Sequence, residues 1–264
     1  MPVTSGEADE STQRARALYL DLLEKSVCNA IIGESPIEMR IARLWRRLRH
    51  PYSTRHGAFS WPVRAHTMIG RTRLRNLREL AEATIRDGIP GDYIETGAWR
   101  GGACILMRGV LAAYDIRDRR VFCADSFEGL PRPNPRKYPA DKRDRLFAFE
   151  DLAIPEEQVR RNFAAYDLLD DQVVFLKGLF KETLPGLRPR PFALLRLDGD
   201  MYESTFDALV HLYDLLSPGG FVIVDDYGVL KSCRAAVHDY VDGRGLRVDM
   251  QKVDHAAVWW RKPS

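Results

Sequence analysis

The chain has 264 residues, of which 45% are hydrophobic and 29% are charged, a composition that suits one large globular α/β domain with an elaborated end. Forty basic residues against 37 acidic ones give a formal charge of only +3, which argues against nucleic acid as a partner. The polar, acidic N-terminus contains no apolar signal segment and the chain has no apolar run of about 18 residues, so we expect a cytoplasmic protein with no membrane partner.

Residues 1–60 are predicted to form a tail followed by a helical extension. Residues 1–11 are polar and acidic and are predicted to be disordered. Apolar residues recur with helical periodicity over 12–32 and again over 36–48, which predicts two amphipathic helices. Arginines crowd residues 40–55; we interpret them as a solvated face, with a phosphate-binding patch as the alternative. Because these helices precede the first strand, we predict a cap or the contact arm of a homo-oligomer.

The second part of the chain comprises residues 61–264. A predicted loop over 51–66 spans the boundary between the two parts, and a predicted helix over 71–87 follows it. Short apolar strands then alternate with amphipathic helices, which predicts parallel βαβ units with helices on both faces of a sheet. A final hairpin is predicted to add one antiparallel strand. The predicted strands are 92–96, 121–124, 173–177, 193–198, 220–225, 246–252 and 257–261, and the helices between them are 102–114, 156–166, 202–216 and 232–241.

A proline-rich, charged segment at about residues 128–151 interrupts this alternation after the second strand. It shows no periodicity, and loops of this length in compact α/β domains are usually lids or insertions. Ligands bind beyond the carboxyl ends of strands in such sheets. The position of the segment therefore predicts a lid over a binding site.

A glycine-rich turn follows the first predicted strand. The strand ends in Glu95 and Thr96, and the turn runs from Gly97 through Gly101 into the next helix. Glycines at this place let the backbone turn tightly and approach a ligand, and an acid at the strand end can accept hydrogen bonds from it. The spacing differs from the G-x-G-x-x-G of dinucleotide sites, and close helix packing is the alternative role. We predict that these four residues bind a ligand.

The next two strands end in further candidates. Asp125 ends the second strand and is followed by Ser126. A carboxylate at this place can accept both hydroxyls of a ribose, whereas capping of a turn is its alternative role. Gly178 and Phe180 follow the third strand, where folds of this kind place an adenine. A core position under a loop is the alternative for Phe180.

Aspartates end the fourth and fifth strands. Asp198 and Asp200 follow one, and Asp225 and Asp226 follow the other. Neighbouring parallel strands bring their carboxyl ends together, and carboxylates in one cleft repel each other unless a cation joins them. Oxygen ligands without cysteine or histidine suit a hard ion such as Mg²⁺, Ca²⁺ or Mn²⁺. We predict a divalent-metal site made by Asp198, Asp225 and Asp226, with helix capping as the alternative for any single aspartate.

These motifs together resemble the TylF-type O-methyltransferases, a family that includes the macrocin, mycinamicin and novobiocin sugar methyltransferases of antibiotic biosynthesis. The resemblance covers roughly residues 60–260, and several motifs in one order make it specific. The matching stretches are residues 66–70, 93–102, 124–131, 197–205 and 217–227.

The resemblance implies a Rossmann-like fold that binds S-adenosylmethionine (SAM), with a seven-stranded, mostly parallel sheet that ends in an antiparallel strand. It also implies methyl transfer to a deoxysugar hydroxyl of a glycosylated natural product, with magnesium or another hard dication required. The cofactor would then be held by Thr67, Met68, Glu95, Thr96, Gly97, Asp125 and Ser126.

A dication at the predicted site would stabilise the alkoxide of a sugar hydroxyl, which gives the metal ligand Asp198 a catalytic role. One relative uses a histidine of its lid as the base. This chain has no histidine between His66 and His211, so the resemblance supplies no base. Asp200, two residues beyond Asp198, is our candidate for that role.

Three other functions would use parts of the same pattern. A metal-dependent methyltransferase of a catechol would need the same aspartates, and a flat aromatic slot would favour it over a polar cleft. A non-catalytic SAM-binding partner would have no use for the aspartate set. A nucleic-acid methyltransferase is indicated by the early arginines alone.

Overall fold

The structure is a computed structural model that describes residues 5–49, 61–187 and 190–263, with side chains described from residue 10. Most of the predicted loop over 51–66 lies outside the described residues. The first helix begins at Ser5, so the prediction of disorder for residues 5–11 is wrong. This segment contains glutamate and alanine, which form helices well, and acids near a helix N-terminus are favoured by the helix dipole.

Eight α-helices and seven strands are found in the described residues. The helices are α1 (Ser5–Val27), α2 (Pro36–Arg49), α3 (Arg71–Arg86), α4 (Gly102–Ala113), α5 (Glu156–Ala164), α6 (Phe180–Thr183), α7 (Tyr202–Leu212) and α8 (Lys231–Gly243). The strands are β1 (Asp92–Thr96), β2 (Val121–Asp125), β3 (Val173–Lys177), β4 (Phe192–Leu197), β5 (Leu216–Val224), β6 (Gln251–Lys252) and β7 (Val258–Arg261).

The strands form one sheet in the order β3-β2-β1-β4-β5-β7-β6. The first five in this order are parallel, and β7 runs antiparallel to both β5 and β6. The chain winds outward in one direction from β1 to β3 and in the other from β4 to β5, so the order reverses between β1 and β4. The seven-stranded, mostly parallel sheet confirms the predicted fold class, and the reversal point is where such folds bind ligands.

The last hairpin is shorter than predicted. Residues 246–250 make no strand pairing, and β6 consists of Gln251 and Lys252. Leu246, Val248 and Met250 nevertheless pack against the core on one side of the segment. Their alternation with polar residues therefore reflects burial of one side and not membership of the sheet.

Helices cover both faces of the sheet. The central strands are buried along their whole length, as parallel strands between two helical layers must be. The N-terminal helix α1 belongs to one of these layers, because Leu20, Leu23 and Val27 are buried in the same core as α3 and α4. Leu23 contacts α4 so closely that a Cβ atom at Gly109 would lie 2.1 Å from its Cδ2 atom. Among the described helices, none is long and apolar enough to span a membrane.

Candidate active site

A cleft opens at the carboxyl ends of β1 to β4, beside the reversal point. It is bordered by the glycine-rich turn, by the start of the predicted lid and by the first turn of α7. The predicted site residues that line it are Met68, Gly97, Asp125, Ser126, Gly178, Phe180, Asp198 and Asp200. Thr67, Glu95, Thr96, Gly101, Asp225 and Asp226 are not among the lining residues.

Gly97 forms the floor of the cleft, where β1 comes closest to β4. Its φ angle is +95°, and a Cβ atom there would lie 1.8 Å from the carbonyl oxygen of Asp198. Its amide donates a hydrogen bond of 2.8 Å to the carbonyl of Ala124. Only glycine fits both the backbone angle and the contact, so the turn is fixed by main-chain geometry.

Gly101 has a packing role in this structure. Its φ angle is +84°, and a Cβ atom would lie 2.7 Å from Cγ1 of Val159 on α5. It belongs to the turn but not to the cleft wall. For this residue the structure therefore supports the packing alternative that the sequence left open.

Residues 63–69, here called the strap, cross the glycine-rich turn. The amide of Gly102 donates to the carbonyl of His66 at 2.8 Å, and Nη1 of Arg100 donates to two further strap carbonyls. Thr67 is buried in the strap, and its hydroxyl accepts a bond from the amide of Ile69. These bonds hold the strap so that Met68, the next residue, lines the cleft.

Asp125 organises the glycine-rich turn. Its Oδ2 accepts hydrogen bonds from the amides of Ala98 and Trp99 at 2.8 and 3.2 Å, and its Oδ1 accepts one from Phe127 at 2.8 Å. Burial raises the pKa of Asp125, although these bonds oppose the shift. Oγ of Ser126 also lies 3.4 Å from Oδ1, so protein groups approach all of the about four lone-pair positions of this carboxylate, and a ligand in the cleft would compete with Ser126 for one of them.

The other residues of this half of the cleft are held by short local contacts. Ser126 donates from Oγ to the carbonyl of Gly129 at 2.6 Å. Gly178 has a φ angle of +141°, which few side chains adopt, and it lines the cleft beside Phe180. Phe180 also packs against the core, which agrees with the alternative role that the sequence left open for it.

Glu95 and Thr96 lie behind the cleft wall and are both buried. Glu95 accepts hydrogen bonds from Nη1 of Arg196 and from Sγ of Cys104. Burial raises the pKa of Glu95 to about 7, although the charge of Arg196 opposes this. In the described part of the chain, Oγ1 of Thr96 has no hydrogen-bond partner. Buried polar atoms are normally paired, so this unpaired hydroxyl one residue before Gly97 is unusual.

Three of the predicted aspartates form a tight group. Asp198, Asp200 and Asp226 each offer a carboxylate oxygen, and these oxygens lie within 4.8 Å of one another. Burial, and then the neighbouring carboxylates, raise the pKa of Asp200 and Asp226 well above the usual range. Carboxylates this close need protons or a cation to offset their repulsion. The donor set therefore fits a hard divalent cation.

Asp225 is directed elsewhere. Its Oδ2 accepts a bond of 2.7 Å from Nη1 of Arg73, and its Oδ1 accepts one of 2.6 Å from Nη2 of Arg196. Burial raises the pKa of Asp225 to about 6, although Arg196 opposes the shift. The structure thus groups Asp198 with Asp226, as predicted, but places Asp200 beside them while two arginines hold Asp225.

The sequence reasoning did not include these two arginines. Arg196 stands in the strand FALLRL, which is otherwise apolar and fully buried. A charged residue in such a strand is almost never buried unless it is paired. Its position was therefore a usable indication of a buried ion pair. Arg73 lies among the arginines of α3 and had no such indication.

The segment predicted as a lid is attached to the site through Asp141, which lies near its middle. Both oxygens of this buried carboxylate accept hydrogen bonds from backbone amides, at 2.7 Å from Tyr202 and 3.0 Å from Glu203. These amides are the first of α7 and have no partner within the helix. The lid segment therefore caps the helix that begins two residues after Asp200.

The C-terminal end of the segment is attached to the glycine-rich turn. Nε1 of Trp99 donates to the carbonyl of Asp151 at 2.8 Å, and Nε of Arg46 on α2 lies 3.2 Å from the Asp151 carboxylate. Phe149 is buried and its ring centroid lies 5.3 Å from that of Trp61. The segment is thus attached to both halves of the cleft and to the N-terminal helices.

Comparisons with known proteins identify the chain's family. The family model described as macrocin-O-methyltransferase (TylF) matches residues 16–262. The mycinamicin III 3''-O-methyltransferase of Micromonospora griseorubida is 46% identical over 248 residues, which are 93% of this chain and 96% of that enzyme. The 8-demethyl-8-(2,3-dimethoxy-alpha-L-rhamnosyl)-tetracenomycin-C 4'-O-methyltransferase of Streptomyces olivaceus is 47% identical over 259 residues, 95% of this chain and 94% of that enzyme.

A solved structure agrees with these relatives. The structure of the O-methyltransferase NovP has a TM-score of 0.83 to this chain at 43% identity, and covers 94% of this chain and 100% of that chain. Fold and sequence therefore agree over nearly the whole length. The chain belongs to the TylF O-methyltransferase family and is itself an O-methyltransferase.

Proposed function

We propose that this enzyme transfers the methyl group of SAM to a sugar hydroxyl of a glycosylated natural product, with the help of a hard divalent cation. The observation that carries the proposal is the aspartate group beside a cleft of methyltransferase type. The names of the relatives support the sugar acceptor, but they specify a 3'' position in one case and a 4' position in the other. We therefore propose the class of acceptor and not the hydroxyl.

Near the aspartates the lining of the cleft suits a sugar better than a catechol, whereas apolar side chains such as Met68, Leu130 and Leu152 line other parts of it. Among the described residues, the aromatic side chains that line it belong to Trp99 and Phe180. Near the aspartates the wall is polar and includes Glu203, Ser204 and Asp207 on α7. Hydroxyl groups can hydrogen-bond to such a wall, whereas a flat aromatic ring would gain little from it.

For the cofactor, we propose that Gly97, Met68, Asp125 and Ser126 contact SAM directly, as their place on the cleft wall allows. The free hydroxyl of Thr96 lies next in sequence to Gly97. Glu95 lies one residue further from the cleft, and its charged form would lie near the cationic ligand. Gly178 and Phe180 border the same cleft after β3, where the adenine is proposed to lie.

For the cation, we propose that Asp198, Asp225 and Asp226 hold Mg²⁺ and that Asp200 accepts the proton of the sugar hydroxyl. Asp200 suits this role because it lies on the cleft wall, whereas Asp225 and Asp226 do not. A bound dication supplies charge that stabilises a deprotonated hydroxyl. The distances favour a second assignment, in which Asp200 takes the place of Asp225 as the third ligand.

Metal binding separates these two assignments. We would measure Mn²⁺ binding by electron paramagnetic resonance for Asp200→Asn, Asp225→Asn and the exposed control Asp171→Asn. The first assignment predicts that Asp225→Asn weakens binding by about tenfold or more, while Asp200→Asn binds Mn²⁺ normally and loses turnover. Normal binding by Asp225→Asn together with weak binding by Asp200→Asn would establish the second assignment.

A methyl-transfer assay tests the whole proposal. The purified chain would be incubated with SAM and a panel of glycosylated antibiotics lacking one sugar methyl group, with catechols as the competing class. We expect product from a glycosylated acceptor with Mg²⁺ and a large loss of rate with a chelator. Turnover of catechols alone would contradict the sugar acceptor, and full activity in the chelator would contradict the metal.

We also propose that the enzyme is a homo-oligomer whose copies meet through the N-terminal helices. On α2, Ile37, Ile41, Leu44 and Leu48 are all about half-exposed or more. An apolar helix face of this size on a monomer usually marks an interaction surface. Light scattering should show an oligomer that Ile41→Ser with Leu44→Ser shifts toward monomer, whereas the exposed control Val229→Ser should not. A monomeric unsubstituted chain would contradict the proposal.

A further inference from the structure

Arg196 lies in the middle of the site and its side chain is almost completely buried, with 1% of the residue exposed. Its guanidinium donates hydrogen bonds to three carboxylates on three strands or strand ends. Nη1 donates to Glu95 and, at 2.8 Å, to Oδ2 of Asp198, while Nη2 donates to Oδ1 of Asp225 at 2.6 Å. One side chain thus touches both the acid behind the glycine-rich turn and two acids at the predicted metal site.

Arg73 extends this network on the metal side only. It donates to Oδ2 of Asp225 at 2.7 Å and to Oδ2 of Asp254 at 2.8 Å. The other oxygen of Asp254 accepts bonds from the amides of Ala256 and Ala257, just before β7. Asp225 is therefore fixed through both of its oxygens, and Arg73 makes no hydrogen bond to Glu95.

We propose that Arg196 is a positioning residue that fixes the cofactor-side acid Glu95 and the metal-side acids Asp198 and Asp225 in one arrangement. The inference rests on the function proposed above and adds a buried residue that does not line the cleft. A guanidinium is planar and offers five donors in fixed directions, so it can orient several carboxylates at once. A lysine ammonium keeps the charge but lacks this geometry.

Arg196 and Arg73 should differ in whether they affect cofactor binding as well as metal binding. Loss of the Arg196 geometry should weaken the cofactor side and the metal side together, because one guanidinium serves both. Loss of the Arg73 geometry should weaken the metal side alone. Residues that orient metal ligands from behind usually change metal affinity by about 10- to 100-fold when they are replaced.

The test compares Arg196→Lys, Arg73→Lys and the control Arg108→Lys. Arg108 is a matched control because it is also buried and forms a two-pronged pair with Asp170, away from the cleft. Mn²⁺ binding and S-adenosylhomocysteine binding would be measured separately by titration calorimetry, and thermal unfolding would be recorded for each variant. These readouts need no turnover.

We expect Arg196→Lys to weaken both ligands by about tenfold or more, Arg73→Lys to weaken Mn²⁺ alone, and Arg108→Lys to change neither. Unchanged binding of either ligand by a folded Arg196→Lys variant would overturn the proposal. If Arg196→Lys does not fold, Arg73→Lys supplies the test. Unchanged Mn²⁺ binding by Arg73→Lys, or an equal loss of Mn²⁺ and S-adenosylhomocysteine binding, would contradict the proposal that Arg73 acts on the metal side alone while Arg196 acts on both sides. Failure of the unsubstituted chain to bind Mn²⁺ would contradict the proposed function, a separate result.

Discussion

The two halves of the cleft are built in different ways. On the side of β1 and β2, glycines and main-chain hydrogen bonds set the shape, as at Gly97 and around Asp125. On the side of β4 and β5, buried carboxylates and the guanidinium of Arg196 set it through charge. The first half should therefore respond to steric change, and the second to pH and cations.

The largest expected effect is that of Gly97→Ala, which tests the steric half of the cleft. The added Cβ would lie 1.8 Å from the Asp198 carbonyl and would hold alanine at a φ angle of +95°. We expect a loss of about 3 kcal/mol or more in the free energy of unfolding, measured by urea titration. Gly186→Ala is the control, because a Cβ there meets nothing within 4 Å. Equal stability of the two variants would show that the floor of the cleft is not sterically fixed.

The charged half can be tested by its pH dependence. Burial raises the pKa of Glu95 to about 7 and that of Asp225 to about 6 and also raises that of Asp226, so the folded chain binds more protons than the unfolded one. Stability from these groups is then present at low pH and declines as pH rises from their unfolded values through their folded ones. Without added cations, the melting temperature should fall as pH rises from about 5 to 8.

A variant and a cation should each reduce that slope. Asp226→Asn removes one of the shifted carboxylates, and Mn²⁺ binds the charged forms, so both should flatten the dependence on pH in differential scanning fluorimetry. The exposed Asp171→Asn should leave it as it is. A slope that neither Asp226→Asn nor Mn²⁺ alters would mean that other groups cause it.

The smallest expected effect concerns the attachment of segment 128–151 to α7. Asp141→Ala removes the cap from the first amides of α7 and should cost about 1 kcal/mol in the free energy of unfolding. Because α7 starts beside Asp200, we expect KM for the acceptor to rise more than SAM binding weakens. Lys142→Ala, an exposed neighbour, is the control. If Asp141→Ala weakens SAM binding more than it raises the KM for the acceptor, Asp141 supports the cofactor half of the cleft and our expectation is contradicted.

The sequence predicted those parts of the molecule that follow local rules. The parallel strands were located to within a few residues because apolar runs such as 173–177 end at turn residues, whereas most of the predicted strand 246–252 is not in the sheet. The carboxyl ends of β4 and β5 were expected to meet because they are parallel neighbours, and they do. The glycine at 97 was identifiable because a strand-to-helix turn at a ligand site needs one.

The parts of the site that the sequence did not predict depend on contacts between residues far apart in the chain. Asp141 caps a helix 61 residues away, and Arg73 reaches Asp225 across 152 residues. No local pattern fixes such pairs, since several acids and arginines compete for each partner. For the same reason, the sequence indicated which aspartates lie near one another but not which of them an arginine would hold.

The contact between Leu23 and Gly109 limits how the enzyme can be recombined with its relatives. Helix α4 begins at the cleft, and its glycine leaves a notch that α1 fills. A chimera that takes the N-terminal helices from one enzyme and the catalytic sheet from another would join surfaces that were not selected together. Exchange of acceptor specificity between such enzymes should therefore move α1 and α4 as a pair.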